Sequence, residues 1–174
     1  ISHGGRQANA GATGLQCVAP SEIPCKFVQR KPRALTHDEI VEIEDCFAAA
    51  ALRAKMAGFD GVEIHGAHGY LICSFLSPYT NHRTDEYGGS ARFPKNIIRK
   101  VREAVGPDFI VGYRLSASEG VEGGLTPVDT AAFAKSIEND VDYINVAAGI
   151  YETMEQYIIP PNYEPHAMVV PFAK

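Results

Sequence analysis

From Thr36 to Ala148 the chain alternates capped amphipathic helices with short apolar strands, and this alternation restricts the fold more than any other feature. Thr36-His37-Asp38-Glu39 is a capping box, in which the threonine oxygen and Glu39 each satisfy a free backbone N–H. The helix it opens carries Ile40, Ile43, Phe47, Ala50, Ala51, Ala54 and Met56 at helical spacing, and Gly58 ends it. Gly61 to His65 reads as a short apolar strand, Leu71 to Leu76 as a helical turn, and residues 77 to 90 as a polar loop. A second helix is predicted from Arg92 to Val105, with Ile97, Ile98, Val101 and Val105 on one side and Gly106-Pro107 as its stop. Phe109 to Ser116 reads as a strand, and 117 to 125 as a Gly-rich loop. Thr126-Pro127-Val128-Asp129 starts another helix with proline at its first position, and Val141 to Ala148 is again a strand. Ile1 to His3 reads as a strand end, residues 4 to 35 as a long irregular excursion, and Val169 to Lys174 as the start of one more helix.

Strands alternating with helices imply a parallel sheet with right-handed crossovers. The pattern alone fits a doubly wound sheet as well as a barrel. Polar groups recur where the strands end, at His3, His65, Arg114 and Asn145. That favours the barrel, because barrel enzymes place their chemistry at that face.

Composition narrows the class. With 45% hydrophobic and 21% charged residues the chain can build one core. A net charge of −5 argues against a nucleic-acid surface. No apolar run approaches the roughly 20 residues that cross a bilayer, so no membrane is expected. The four cysteines, Cys17, Cys25, Cys46 and Cys73, have no zinc or iron–sulfur spacing. They read as reduced thiols of a cytoplasmic protein, with a Cys17–Cys25 disulfide as the other option. The chain starts abruptly without methionine and is expected to be part of a longer protein.

The chemistry concentrates in Val62-Glu63-Ile64-His65-Gly66-Ala67-His68-Gly69-Tyr70-Leu71. A strand delivers two histidines and a tyrosine to its end, with a glycine beside each histidine. His65 and His68 read as a pair of N–H donors on one substrate oxygen. They read equally as buried structural histidines, and a metal pair is a third option. Tyr70 is either a proton donor to a carbon becoming anionic or an interfacial core tyrosine. Arg114, at the end of an apolar strand, needs an anion; a salt bridge or the electron-rich edge of a cofactor would supply one. Ser77, Asn81, Arg83, Asp85 and Tyr87 read as loop scaffolding. Glu119, Glu122, Tyr151 and Tyr157 read as solvated loop residues that shape substrate choice at most.

The central run continues into Phe75-Leu76-Ser77-Pro78 and Asn81-His82-Arg83-Thr84-Asp85-Glu86-Tyr87-Gly88-Gly89-Ser90. Together with His3-Gly4-Gly5-Arg6, Val18-Ala19-Pro20-Ser21, Ala57-Gly58-Phe59-Asp60-Gly61, Tyr113-Arg114-Leu115-Ser116 and Asp142-Tyr143-Ile144-Asn145-Val146, it resembles the Old Yellow Enzyme family of flavin-dependent ene-reductases. The likeness is nearest the 2-enoate and 2,4-dienoyl-CoA reductase branch. It implies a (β/α)₈ TIM barrel holding FMN, of which residues 1–174 would be the central part of one domain, about strands three to six. It implies hydride transfer from NAD(P)H through the flavin to the β-carbon of an activated alkene: an enone, an enoate or an enoyl thioester. His65 and His68 would hold the activating oxygen, Tyr70 would protonate the α-carbon, and Arg114 and His3 would contact the flavin. An iron–sulfur cluster and FAD would lie in regions outside the chain, and a homo-oligomer stays open. A flavin-dependent amine dehydrogenase or demethylase is the alternative on the same scaffold, and a non-catalytic barrel fragment the alternative from another class. The segment by itself is expected to be inactive. Two departures stand out: the family pattern is about four residues longer after Ser90 and about one longer before Val141.

Overall fold

The computed structural model describes residues 1–173. The excursion after Ile1 holds a 3₁₀ turn at Gly5–Gln7 and a short helix α1 at Ala10–Thr13. Two-residue strands β1 (Val18–Ala19) and β2 (Arg33–Ala34) then pair in parallel, Val18 with Arg33 and Ala19 with Ala34. Ile1 to His3 forms no strand element. It runs beside the next strand nonetheless: His65 N–H donates to Ile1 O at 3.0 Å, and the Ile1 amino group donates to Glu63 O at 2.7 Å.

Helix α2 (His37–Met56) opens on the full capping box at Thr36 and Glu39. Gly58 follows it at φ 88°, a left-handed position glycine takes without strain. Ile40, Phe47 and Ala51 point into the core, but Met56, read from the sequence as part of that face, is 79% exposed. It lies in the last turn, beyond the reach of the sheet. Glu44 on the buried side is only 1% exposed. Tyr87 Oη donates to it at 3.3 Å and Asn96 Nδ2 at 2.9 Å, and Lys100 Nζ lies 3.1 Å away, so the buried charge is paired.

β3 (Gly61–Gly66), β4 (Ile110–Ser116) and β5 (Tyr143–Ala147) form a parallel sheet in sequence order. α3 (Leu71–Leu76) and α4 (Arg92–Val105) connect the first two strands, and α5 (Pro127–Ile137), with its capping box at Thr126 and Asp129, connects the second pair. α4 begins at Arg92 without a side-chain cap. The tail ends in irregular turns and a 3₁₀ turn at Val170–Ala173; the expected helix to Lys174 runs past the described residues.

The two faces of the sheet differ. Ile64, Val111, Tyr113 and Leu115 alternate onto one face and pack with Ile40, Phe47, Ile97, Ile98, Val101, Phe133 and Ile137 of the helices. Each such side chain contributes roughly 1.5–3 kcal/mol by leaving water. The opposite face carries Glu63, His65, Arg114, Tyr143 and Asn145, all partly or fully exposed. Helices on one face only, strands in sequence order and a polar inner face are those of a barrel wall; a doubly wound sheet buries both faces. The chain is thus part of a (β/α)₈ barrel, with the C-terminal ends of its strands at one rim.

Candidate active site at the strand ends

Strand register sets the first three groups. His65 lies opposite Arg114, and Arg114 opposite Asn145, so one polar row crosses the inner face near the rim. Below it, Asn145 Nδ2 donates to Glu63 Oε2 at 3.0 Å. Gly66 keeps the strand end close to β4: a Cβ there would sit 2.0 Å from Tyr113 Oη.

The chain then turns sharply. His68 adopts φ 59°, a left-handed conformation that costs an ordinary residue of order 1–3 kcal/mol. Two hydrogen bonds hold it, and a third fixes the serine that makes one of them. His68 N–H donates to Ser116 Oγ at 2.9 Å, Ser116 Oγ donates to Gly149 O at 2.9 Å, and Gln7 Nε2 donates to His68 O at 3.1 Å. His68 also bridges to Ile150 beyond β5. Gly69, at φ 74°, has no room for a side chain, since a Cβ would meet Gln7 Oε1 at 2.5 Å.

The result is a ring cluster. The centroids of His65 and His68 are 5.1 Å apart, and those of His65 and Tyr70 4.9 Å apart, both edge to face. His65 Nε2 and His68 Nδ1 approach to 3.3 Å. Ala67 N–H donates to His65 Nδ1 at 3.2 Å, which assigns the His65 proton to Nε2. His65 therefore donates to His68 Nδ1, and the free donor of His68 is Nε2–H. The sequence suggests two parallel donors; in the structure the two rings are hydrogen-bonded to each other.

Burial, and then the positive charge of its neighbours His65 and Arg114, lowers the His68 pKa to about 4. Burial, and then Arg114, lowers that of His65 too. Both rings are neutral near pH 7, the state suited to donating to an oxygen without cancelling its charge.

Arg114 stands in the row with Nε buried and, among the described residues, without a hydrogen-bond or ion-pair partner. The salt bridge considered from sequence does not form. A half-buried guanidinium left unpaired is a cradle for an anionic group. His3 meets the edge of the cluster through its backbone: its carbonyl accepts from Leu71 N–H, one residue past Tyr70, at 3.0 Å. Its Nδ1 accepts from Gly5 N–H at 3.1 Å, its pKa is lowered by burial, and it lines a separate cavity of 300 Å³ with Cys17, Val18 and Arg33.

Other expectations change. Glu119 is not solvated: it is 1% exposed and accepts from Ser77 Oγ at 2.5 Å and Leu125 N–H at 2.9 Å. Burial raises its pKa. Glu122 is exposed. The loop after α3 is internally bonded: Asn81 Nδ2 donates to Phe75 O at 2.6 Å and Tyr87 O at 2.7 Å. All four cysteines are free thiols. Tyr151, a solvated loop residue by its sequence, places its Oη 3.1 Å from Tyr70 Oη. The hydrogen bond to Tyr70, followed by burial, raises the Tyr151 pKa to about 12. Only its place just beyond a strand end marked it in the sequence.

Comparison with known proteins accords with this geometry. The model of the NADH:flavin oxidoreductase / NADH oxidase family matches residues 1–165. An NADH oxidase of Thermoanaerobacter brockii is 52% identical over 170 residues, covering 94% of this chain and 26% of its own length. An NADPH dehydrogenase of a Geobacillus species is 42% identical, covering 98% of this chain and half of its own. The chain therefore spans a quarter to a half of these relatives. Among solved structures, a 2-naphthoyl-CoA reductase in complex with 2-naphthoyl-CoA superimposes with TM-score 0.82 at 32% identity, over 87% of this chain and 26% of the other. Histamine dehydrogenase from Rhizobium sp. 4-9 does so with TM-score 0.79 at 33% identity, over 87% of this chain and 23% of the other.

Proposed function

Since the chain belongs to the NADH:flavin oxidoreductase / NADH oxidase family, we propose that the complete protein is an FMN-dependent ene-reductase acting on an activated alkene. The observation that carries this reading is the convergence of His65 Nε2 and His68 Nδ1, 3.3 Å apart, with the Tyr70 ring edge-on to His65. Two neutral imidazoles this close suit a carbonyl, carboxylate or thioester oxygen once His68 carries its proton on Nδ1. Their hold strengthens as negative charge develops there.

Bound FMN would supply hydride transfer from NAD(P)H to the alkene β-carbon. The residues fit such a group: the unpartnered Arg114 guanidinium, on a polar and partly exposed inner face, matches the electron-rich pyrimidine edge of a flavin. Tyr70 Oη is the acid we assign to the α-carbon. It gives up its proton as the oxygen held by His65 and His68 is relieved of charge. His3, which lines its own cavity, is kept as a flavin-side residue only. An iron–sulfur cluster and FAD in regions outside this chain extend the same proposal; iron content of the full-length protein tests it.

Stopped-flow spectroscopy of the full-length protein is the test. Flavin absorbance should bleach with NADH or NADPH and return on adding 2-cyclohexenone. If no activated alkene restores it, the reading falls. The likeness to histamine dehydrogenase supports a second reading, amine oxidation on the same scaffold. Bleaching by amines, with no alkene turnover, would select it.

A further inference from the structure

Tyr151 faces two ways. Its phenol oxygen lies 3.1 Å from that of Tyr70, and its ring meets Phe27 edge to face, with centroids 6.2 Å apart at 82°. Phe27 is 68% exposed, so it adds little to the core, yet it is held in place with unusual care. It occupies a turn closed by Gln29 N–H donating to Cys25 O at 2.8 Å, and Cys25 is fully buried. On one side of the turn, Arg6 Nη1 donates to Pro24 O at 3.1 Å; on the other, Lys26 N–H donates to Glu152 Oε1 at 3.3 Å. Arg6 and Glu152 are themselves a buried ion pair at 2.8 Å. One ion pair thus fixes the Phe27 turn to the segment that carries Tyr151. Beside them lies a cavity of 490 Å³, within the size range of small-molecule sites, with Phe27, Tyr151 and Met154 as its apolar lining and Glu152, Thr153, Glu155 and Gln156 as its polar rim.

We propose that Phe27 and Tyr151 form an aromatic wall that binds the flat apolar flank of the substrate and sets a preference for aryl- or polyene-conjugated alkenes over small ones. This rests on the ene-reductase reading, because the wall is placed by its contact with Tyr70. The exposed aromatic surface and the thioether of Met154 match a flat hydrocarbon, and aromatic contacts add to simple burial. The ion pair keeps the wall pre-set, so little side-chain freedom is lost on binding.

The experiment compares full-length wild type with Phe27→Ala and Phe27→Leu. The readout is the ratio of kcat/KM for cinnamaldehyde to that for 2-cyclohexenone. Phe27→Ala should lower this ratio about tenfold, through KM for cinnamaldehyde, and Phe27→Leu should lower it less. An unchanged ratio overturns the wall. An equal fall for both substrates also overturns it, since Phe27 would then be supporting the fold. Calorimetric affinities for 2-naphthol and phenol give a readout that needs no turnover. If wild type reduces neither alkene, the ene-reductase reading fails while the wall is still judged: Phe27→Ala must weaken 2-naphthol about tenfold more than phenol, and an equal change overturns it.

Discussion

His65 donates its Nε2–H to Nδ1 of His68 across 3.3 Å, so the two rings are a hydrogen-bonded chain. To take an oxygen between them, both facing nitrogens must carry protons. His65 already does, held so by Ala67 N–H on its Nδ1. His68 must move its proton from Nε2 to Nδ1. Phenol binding to the full-length protein should therefore switch the His68 tautomer while His65 keeps its own, read from ¹⁵N shifts of labelled histidine. His65→Ala should weaken phenol about 10- to 150-fold, the value of a hydrogen bond to a charged oxygen at roughly 1.5–3 kcal/mol. Unchanged tautomers and affinity would return the pair to a structural role.

The depressed His68 pKa gives a pH signature. The folded-state value is about 4, against an ordinary 6.5. Above pH 6.5 the ring is neutral in folded and unfolded chains alike, so it adds no pH dependence. Between 6.5 and 4 the unfolded chain takes up a proton that the folded chain refuses, and stability falls as pH falls. Solvent screening of the partly exposed ring reduces the size of the effect, not its sign. Asparagine tolerates the left-handed backbone at this position, so His68→Asn is the reference. The stability advantage of wild type over His68→Asn in urea denaturation should shrink from pH 6.5 to 4 and stay level above 6.5.

Tyr70→Phe removes the proposed acid but keeps the ring against His65. Alkene reduction in single-turnover experiments should slow about 10²- to 10⁴-fold, while flavin bleaching by NAD(P)H keeps its rate. An equal loss in both half-reactions would point to a damaged barrel instead of a missing proton.

The fold was legible in the sequence where local chemistry decided it. The Thr36 capping box, the proline-led helix start at Thr126, the Arg92–Val105 helix and the alternation of strands with helices follow from residues a few positions apart. The His65, Arg114 and Asn145 row was legible as polar groups ending apolar strands. What escaped depends on groups distant in sequence. Glu119 reads as a loop carboxylate until Ser77 and Leu125 close around it. Tyr151 reads as a lone aromatic until the isolated bridge between His68 and Ile150 brings its loop to Tyr70. The donor order between the histidines depends on a hydrogen position fixed by Ala67, which no spacing reveals.

Arg6 and Glu152 are separated by 146 positions and joined by charge-assisted contacts at 2.8 and 3.0 Å. Arg6 is fully buried, and the Glu152 side chain is 3% exposed. At that depth, removing one partner leaves the other charge without compensation, which typically costs about 3–5 kcal/mol. Glu152→Gln and Arg6→Met should each lower stability by about that amount in denaturant titrations of the full-length protein. The double variant Arg6→Met with Glu152→Gln carries no buried charge at the site, so it should be more stable than either single variant. If the two losses simply add, the pair is not coupled and the loops are held by their backbone contacts alone.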